Sequence, residues 1–372
     1  MIAIVGPSQR FLSGVSYYTI RLANALSNHT NVKVVLFRKM LPKRFFPGRK
    51  RVGAKLTSLK FNENVEVHEI LDWYNPITWF NAYKLLKDCK TVIFQWWTSS
   101  VAHMILFLEL MCKLKDGDRK NIIIEFHEVL DPLESSILLI NLYFKTVRRF
   151  ITKLADHYVV HSKSEKEIIK SAYNIASSKI SVIPHGVYDH YKTIENAKKA
   201  LKITENFVIL FFGLIRPYKG LKYLIDAFNL LPEDVAKNAR LLIVGETWED
   251  KSVPELISKS RFKDKITFVN RYVSDYETSL YFSAADVLVL PYVRASQSGV
   301  GYIGMHFGLP ILATEVGGLK SLSEYKGTTF VKTRDEQDLS KAILHVYEKR
   351  RKFDTPRRFK WDYIAKKWME LF

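Results

Sequence analysis

The sequence contains only two cysteines, Cys89 and Cys112, which lie in unrelated local contexts without a CxxC spacing. This scarcity argues against a disulfide framework or a cysteine zinc site and suits a reducing compartment. Long hydrophobic runs are also missing, since the most apolar stretches are too short for a bilayer and one contains His103 and Glu109. No basic segment with a cleavage site precedes the first apolar run. We therefore expect neither a signal peptide nor a transmembrane helix.

Acidic residues are scarce as well: 57 Lys and Arg face 38 Asp and Glu. Residues 31–60 contain ten basic residues and no acid, a second basic cluster spans residues 349–360, and the third comprises Lys145, Arg148, Arg149 and Lys153. Such clusters attract phosphates. Because aromatic residues lie beside these clusters, we predict that they bind peripherally to an anionic membrane surface. The alternatives are a solvated basic face and nucleic-acid binding. For nucleic-acid binding, no recognisable module is present. The aromatic residues are Phe45, Phe46, Phe150 and Trp361.

Short β-branched runs alternate with amphipathic helical patterns along all 372 residues. Examples are "MIAIVG", "VKVVLF", "TVIFQW", "NIIIEFH", "NFVILFFG", "ARLLIVGE" and "ADVLVLPY". Continuous apolar strands of this kind are typical of parallel sheets covered on both faces. The sequence therefore predicts the α/β class, with doubly wound, Rossmann-like sheets.

The pattern starts again near residue 206, after a charged stretch, and the chain is long enough for two cores. We predict an N-terminal domain over 1–190 and a C-terminal domain over 191–354 that face each other across a cleft. A final helical segment covers 355–372, with apolar residues at helical spacing that need a partner surface. These residues are Trp361, Ile364, Ala365, Trp368 and Leu371.

Ligands of open α/β sheets bind outside the carboxyl ends of the strands, so the residues just after each strand are candidate site residues. In the first domain they are Gly6, Ser13 and Gly14, and His127 with Glu128 and Asp131 nearby. In the second they are Arg216, Lys219, Gly245, Glu246 and the stretch "PYVRASQSGV". Cations and glycines in these positions predict a phosphorylated ligand.

The stretch "FFGLIRPYKG" turns abruptly from a buried strand into a loop with two cations. Pro217 sets the turn and Gly220 lets the backbone pass closely before the next helix. Arg216 can bind phosphate oxygens as a fork and Lys219 as a point charge. Near a departing diphosphate, both would stabilise the growing negative charge. The alternative is a pair of ordinary surface cations at a turn.

The stretch "ASQSGVGYIG" offers a second phosphate-binding device. Ser296, Ser298 and Gly299 precede or open a helix, whose free N–H groups and dipole favour an anion. An ordinary helix cap is the alternative. Asp116 and Asp118 have the residue types of a metal pair, but they lie in a lysine-flanked turn before a strand, and we expect no metal site.

Taken together, these motifs resemble the GT-B glycosyltransferases, specifically the retaining family 4 that uses nucleotide-sugar donors. The resemblance rests on "GPSQRFLSGVSYYTIRLANAL", "EFHEVLDP", "ADHYVVHSKSEKEII", "FFGLIRPYKGLKYLIDAF", "LPYVRASQSGV" and "FGLPILATEVGGL". It implies that the second domain holds the donor diphosphate with Arg216 and Lys219, and that Ser13 and Gly14 approach the same phosphates. It also implies that His127 lies near the transferred sugar, that the terminal helix packs on the first domain, and that no metal or cofactor is needed.

One departure from the family pattern is clear. Many members carry two glutamates, separated by seven residues, before the "GLP" segment, the first for the sugar and the second for the ribose. Here those positions hold Ala295 and Ile303. Substitute contacts are expected from the side chains of Gln297 and Ser298 and from the backbone, and the remaining candidate donor-binding residues are Gly213, Gly245, Glu246, Gly299 and Val300.

The sequence thus predicts a cytoplasmic, peripheral membrane hexosyltransferase. It would move a hexose from UDP- or GDP-hexose, which is a substrate and not a cofactor, to a glycan or lipid-linked acceptor. We expect His127, Arg216 and Lys219 to serve the reaction. Two alternatives remain open: a non-hydrolysing nucleotide-sugar epimerase, and a non-catalytic nucleotide-binding or partner subunit of a glycosyltransferase.

Overall fold

The chain forms two compact units, each built on a parallel sheet. The computed structural model describes residues 1–11, 14–39, 57–115, 120–129, 150–248, 250–295 and 298–372. Unit 1 comprises Met1–Gly186 together with Arg358–Phe372, and unit 2 comprises Val187–Arg357. Both sheets carry helices, so the predicted doubly wound α/β class is confirmed.

The described part of unit 1 has a seven-stranded sheet in the order β3-β2-β1-β4-β5-β6-β7. Its strands are β1 (Ile2–Pro7), β2 (Val32–Lys39), β3 (Val65–Asp72), β4 (Thr91–Trp96), β5 (Asn121–Phe126), β6 (His157–Val160) and β7 (Ile180–Val182). Its helices are α1 (Gly14–Ser27), α2 (Pro76–Leu86), α3 (Ala102–Lys115) and α4 (Lys163–Tyr173).

Both faces of this sheet are buried, which explains why its central strands are mostly apolar. Ile2 and Ile4 of β1 lie in a cluster with residues of α1. Ala3 and Val5, which alternate with them, lie in a second cluster with residues of α2 and α3. Because successive side chains of a strand point to opposite faces, each face needs its own apolar set.

The terminal helix α12 (Trp361–Met369) belongs to unit 1 and packs against α1. Its apolar stripe is buried there, and Trp368 is 0% exposed. The Nδ2 of Asn121 in β5 donates to the carbonyl of Leu371, 2.8 Å away, which ties the chain end to the sheet. The stripe at helical spacing therefore finds its partner surface in unit 1.

Unit 2 has a six-stranded sheet, among the described residues, in the order β10-β9-β8-β11-β12-β13. Its strands are β8 (Phe207–Phe212), β9 (Ala239–Val244), β10 (Ile266–Val269), β11 (Val287–Leu290), β12 (Ile311–Thr314) and β13 (Thr328–Val331). Its helices are α5 (Ala197–Ala200), α6 (Leu221–Asn229), α7 (Glu233–Lys237), α8 (Val253–Ser258), α9 (Asp275–Ala284), α10 (Gly299–His306) and α11 (Glu336–Glu348).

The strands β3 and β13, absent from the sequence-based expectation, lie at the edges of the two sheets. Half of β3 is polar or charged, and its central residues are exposed or half-buried. An edge strand pairs on one side only and needs no apolar residue at every position. The rule of continuous apolar runs therefore misses these two edge strands.

The basic clusters are only partly described. Residues 40–56, Lys145, Arg148 and Arg149 lie outside the described residues. In the 349–360 cluster, Arg350 Nη1 donates to the carbonyl of Asn206, 2.9 Å away, and its guanidinium lies 5.2 Å from the Phe207 ring. Part of this cluster thus supports packing within unit 2. None of the helices described here has the length and apolar character needed to cross a membrane.

Candidate functional site

In unit 2, the loop after β8 is bonded to the loop after β9. The N–H of Gly213 donates to the carbonyl of Val244, and the N–H of Ile215 to that of Glu246, each at 2.9 Å. Gly245 has φ of 150°, and a Cβ there would lie 1.9 Å from the carbonyl oxygen of Gly213. The two loops are therefore in backbone contact, which brings Gly213, Gly245 and Glu246 together at one edge of the sheet.

Lys219 is held by an aromatic ring at the end of the neighbouring strand. Its Nζ donates to the hydroxyl of Tyr292, 3.1 Å away, and lies 4.7 Å from the ring centroid. Tyr292 itself is only 1% exposed. A Cβ at Gly213 would lie 3.3 Å from this Nζ, so the ammonium group is beside the end of β8. Sequence reasoning did not identify Tyr292, although it directly follows the "VLVLP" strand.

The start of α10 lies at the same place. Ser298, its N-cap residue, has its Oγ 3.4 Å from the Tyr292 hydroxyl. The Cγ2 of Val300 would lie 3.4 Å from a Cβ at Gly213. The first N–H groups of a helix have no acceptor within the helix, and the dipole adds partial positive charge there. Lys219 and the helix start therefore form one electropositive site; Ser296 and Gln297 are outside the described residues.

Arg216 has a separate aromatic support. Its guanidinium lies 4.8 Å from the centroid of the Trp248 ring. The Nε1 of Trp248 donates to Glu246 Oε2 at 3.3 Å. Because the ring face attracts a cation, this stacking restricts the long arginine side chain to the loop after β9. Both predicted phosphate cations are thus supported by rings that follow neighbouring strands.

Ala295 and Ile303, at the two positions where the family pattern has glutamates, have no polar side chain. In this structure they serve backbone hydrogen bonding and packing. Ile303 is 6% exposed on the inner face of α10. The carbonyl of Ala295 accepts from the N–H of Gly318 at 3.1 Å. Any ribose or sugar contact in this region must therefore come from other groups, such as Ser298 and the N–H groups at the start of α10.

In unit 1, Gly6 lies within β1 and not after it, whereas Gly14 and His127 follow β1 and β5. Gly14 is the first residue of α1, whereas Ser13 is outside the described residues. His127 follows β5, and its backbone N–H donates to the carbonyl of Trp96 at 2.8 Å. Its ring packs edge-on against Tyr18, with 4.7 Å between the centroids.

The acid beside His127 is Glu125, two residues earlier in the strand. Nε2 of His127 lies 3.4 Å from Glu125 Oε2, and Nε2 of His161 lies 3.8 Å from Oε1. Of the acids that the sequence suggested near His127, Glu128 is half-buried and Asp131 is not among the described residues. Sequence reasoning missed this cluster, and the signal was a charged residue inside the apolar strand "NIIIEF".

Glu125, His127 and His161 are all buried, and each has a donor atom within 4.8 Å of the others. Histidine nitrogen and carboxylate oxygen are ligand types that zinc accepts, so these side chains could hold a metal ion. Burial opposes ionisation of Glu125, but the charge and hydrogen bonding of His127, together with His161, outweigh it and lower the pKa of Glu125. Burial lowers the pKa of His161. The cluster therefore combines a buried carboxylate with a neutral imidazole.

Comparison with known proteins adds the family. Residues 12–190 match the family model described as Glycosyltransferase Family 4, and residues 206–349 match the one described as Glycosyl transferases group 1. The fold matches that of HepE from Anabaena, crystallised with UDP and glucose, with a TM-score of 0.70 and 18% identity over 100% of this chain and 98% of that one. Unit 1 and unit 2 thus each match a glycosyltransferase family model.

The chain also has curated relatives at low identity. Two are uncharacterised glycosyltransferases of Methanocaldococcus jannaschii. One is 26% identical over 57% of this chain and 58% of its own length. The other is 23% identical over 91% of this chain and 86% of its own length. The first match thus spans less than two thirds of that relative, and neither name specifies a donor or an acceptor.

Proposed function

We propose that this GT-B glycosyltransferase transfers a hexose from UDP- or GDP-hexose, with retention of configuration, to a glycan or lipid-linked acceptor at a membrane surface. The observation that carries the proposal is the convergence of Lys219, Tyr292, Gly213 and the start of α10 in unit 2. A fixed ammonium group beside a helix N-terminus is suited to a diphosphate. The complex of HepE with UDP and glucose supports the same donor class.

In the proposed reaction, the bond between the sugar C1 and the diphosphate oxygen breaks while C1 bonds to the acceptor oxygen on the same face. The proton of the acceptor hydroxyl passes to the departing diphosphate oxygen. Lys219 and Arg216 stabilise the negative charge that grows on the diphosphate. His127 of unit 1 orients the transferred sugar. We propose that no metal or organic cofactor takes part, because these cations and the helix N-terminus neutralise the leaving group.

Thermal unfolding against UDP, GDP, ADP, dTDP and their hexoses tests the donor site. A ligand that binds only the folded state stabilises it by about 2.7 kcal/mol at 100 times its dissociation constant. We expect one nucleotide to raise the melting temperature, and Lys219→Met to remove this shift. The matched control is Lys222→Met, three residues later on the exposed side of α6, where Lys222 is paired with Asp226 at 3.3 Å.

Turnover separates catalysis from binding. Removing one electrostatic stabiliser of a transition state typically lowers kcat by about 100- to 1000-fold, and we expect Lys219→Met to do so. Equal behaviour of the Lys219 and Lys222 variants would contradict the site. Conversion of the donor sugar without any acceptor would instead indicate an epimerase, and failure of every nucleotide to bind would indicate a partner subunit.

The membrane part of the proposal is supported by the excess of 57 basic over 38 acidic residues. A basic surface binds anionic lipid in a manner that salt weakens. We expect the protein to float with vesicles that contain phosphatidylserine and not with purely zwitterionic vesicles. Binding to RNA or DNA with steep salt dependence, and none to anionic vesicles, would contradict this proposal.

A further inference from the structure

Glu109 and Glu125 are both 0% exposed in unit 1, but their surroundings are opposite. Neither carboxyl oxygen of Glu109 has a hydrogen-bond partner among the described residues, and burial raises the pKa of Glu109 well above its usual range. Glu125 Oε2 accepts from Gln95 Nε2 at 3.0 Å and lies 3.4 Å from His127 Nε2, whereas Oε1, 3.8 Å from His161 Nε2, has no hydrogen-bond partner among the described residues. A buried ionised carboxylate is costly unless its surroundings compensate it. The surroundings of Glu125 provide that compensation.

Three elements hold this carboxylate in one orientation. The hydroxyl of Thr19 in α1 donates to Gln95 Oε1 at 2.6 Å, and Gln95 Nε2 in β4 donates to Glu125 Oε2 at 3.0 Å. A Cβ at Gly6 would lie 2.1 Å from Gln95 Oε1, so this glycine of β1 leaves room for the amide. The amide orientation is set because the carboxylate can only accept, so the amide nitrogen must face it.

The two imidazoles differ in where the ring proton lies. Nδ1 of His161 is 3.0 Å from the carbonyl of Ile183, and a carbonyl can only accept, so Nδ1 carries the proton. In the neutral ring, Nε2 of His161 then bears a lone pair and cannot donate to Glu125. Nε2 of His127 lies nearer the carboxylate, 3.4 Å from Glu125 Oε2, although the two atoms form no hydrogen bond in this structure. Catalytic hydrogen bonds are often long without ligand and shorten in the complex.

We propose that Glu125 is a positioning residue for His127: its buried carboxylate holds the ring proton on Nε2 and leaves Nδ1 to accept a hydrogen bond from the sugar. This inference rests on the proposed function, in which His127 contacts the transferred sugar. The hydrogen bond at one ring nitrogen determines the protonation of the other. Thr19 and Gln95 orient the Glu125 carboxylate, the carboxylate orients the His127 ring, and the ring contacts the sugar.

Glu125→Gln tests the role, since it removes the charge and keeps the shape. We expect kcat to fall by at least about 10-fold, as a wrong tautomer costs a histidine much of its activity. The donor KM should change less than kcat, and the unfolding midpoint should be maintained. Glu109→Gln is the matched control, with the same substitution and the same burial in the same unit, and it should leave kcat unchanged.

Two further measurements exclude a merely structural role. In a double-mutant cycle, Glu125→Gln should have little effect on kcat when His127 is already alanine, because Glu125 acts through that ring. Ring ¹⁵N chemical shifts of His127 should report protonation at Nε2 in the native protein and a shift toward the Nδ1 tautomer in Glu125→Gln. The ring signals of His161 should keep the Nδ1 tautomer in both proteins.

Several results would overturn the proposal. The proposal fails if the His127 ring of the native protein is protonated at Nδ1. It also fails if Glu125→Gln lowers kcat equally in the native protein and in the His127→Ala variant. Stoichiometric zinc in the purified protein, lost in Glu125→Gln, would assign the cluster to a metal instead. If no nucleotide-sugar binds or reacts, the proposed function fails, whereas the ring ¹⁵N signals still decide whether Glu125 sets the tautomer.

Discussion

Gly220 connects the short turn that carries Lys219 to helix α6, and it has the left-handed φ of 65° and ψ of 26°. A Cβ there would lie 2.0 Å from the carbonyl oxygen of Pro291 and 3.0 Å from its carbonyl carbon. Both are backbone atoms, so no side-chain rotation can make room. We therefore predict that Gly220→Ala displaces the turn against the segment after β11 and destabilises unit 2.

The size of the effect follows from two contributions. A left-handed conformation costs an alanine about 1–2 kcal/mol, from which the reduced freedom of the unfolded chain recovers roughly 0.4–1 kcal/mol. Relief of an overpacked contact by main-chain movement costs about 1–3 kcal/mol more. The matched variant is Gly213→Ala, whose φ is 110° but whose Cβ would meet only the flexible ends of Lys219 and Val300, at 3.3 and 3.4 Å.

Urea unfolding of the two variants isolates the backbone contact. Both variants place a Cβ at positive φ, and the contact with Pro291 should add about 2 kcal/mol to the loss in Gly220→Ala, or about 4–8 °C in melting temperature for a unit of this size. Unchanged m-values would show that the denatured state is not responsible. Equal destabilisation of both variants, or a larger loss in Gly213→Ala, would refute the argument from the Pro291 carbonyl.

Two other predictions concern stability. Trp368→Ala should lower the free energy of unfolding by about 3–5 kcal/mol, because the fully buried ring joins α12 to unit 1; Lys367→Ala, on the exposed side, should cost less than about 0.5 kcal/mol in the same urea titration. Burial opposes ionisation of Glu205, but hydrogen bonds from Arg240 and Lys265 outweigh it and lower its pKa to about 2. The ionised Glu205 carboxylate therefore stabilises the folded state above pH ~4.3, and this contribution is lost as the pH falls toward 2. We expect the free energy of unfolding of Glu205→Gln to depend less on pH over this range. An unchanged dependence on pH would contradict this prediction.

Much of the fold was predictable from short stretches of the chain. Strands such as β1, β8 and β11 are apolar throughout because both faces of their sheets are covered. The apolar spacing of α12 indicated a buried helix. The edge strands β3 and β13 were missed because each pairs with one neighbouring strand only and is partly exposed. Their residues therefore need not all be apolar.

The candidate site divides in the same way. The glycine and cation pattern around Arg216 and Lys219 is local, because strand, turn and helix follow one another within ten residues. The structure places Gly213, Lys219, Ser298 and Val300 together, and their roles in donor binding stay predictions. Tyr292 could not be recognised as the support of Lys219, since 73 residues separate them and many tyrosines follow strands.

The sequence by itself determined what each segment needs: an apolar strand must be covered, a striped helix must be buried, and a helix start favours an anion. Only the tertiary structure decided which segments meet those needs. Glu125 inside an apolar strand signalled a special site, but its partners Thr19, Gln95 and His161 lie far along the chain. Local periodicity reports the burial of a residue, whereas the identity of its neighbours depends on strand order and register, which no short stretch encodes.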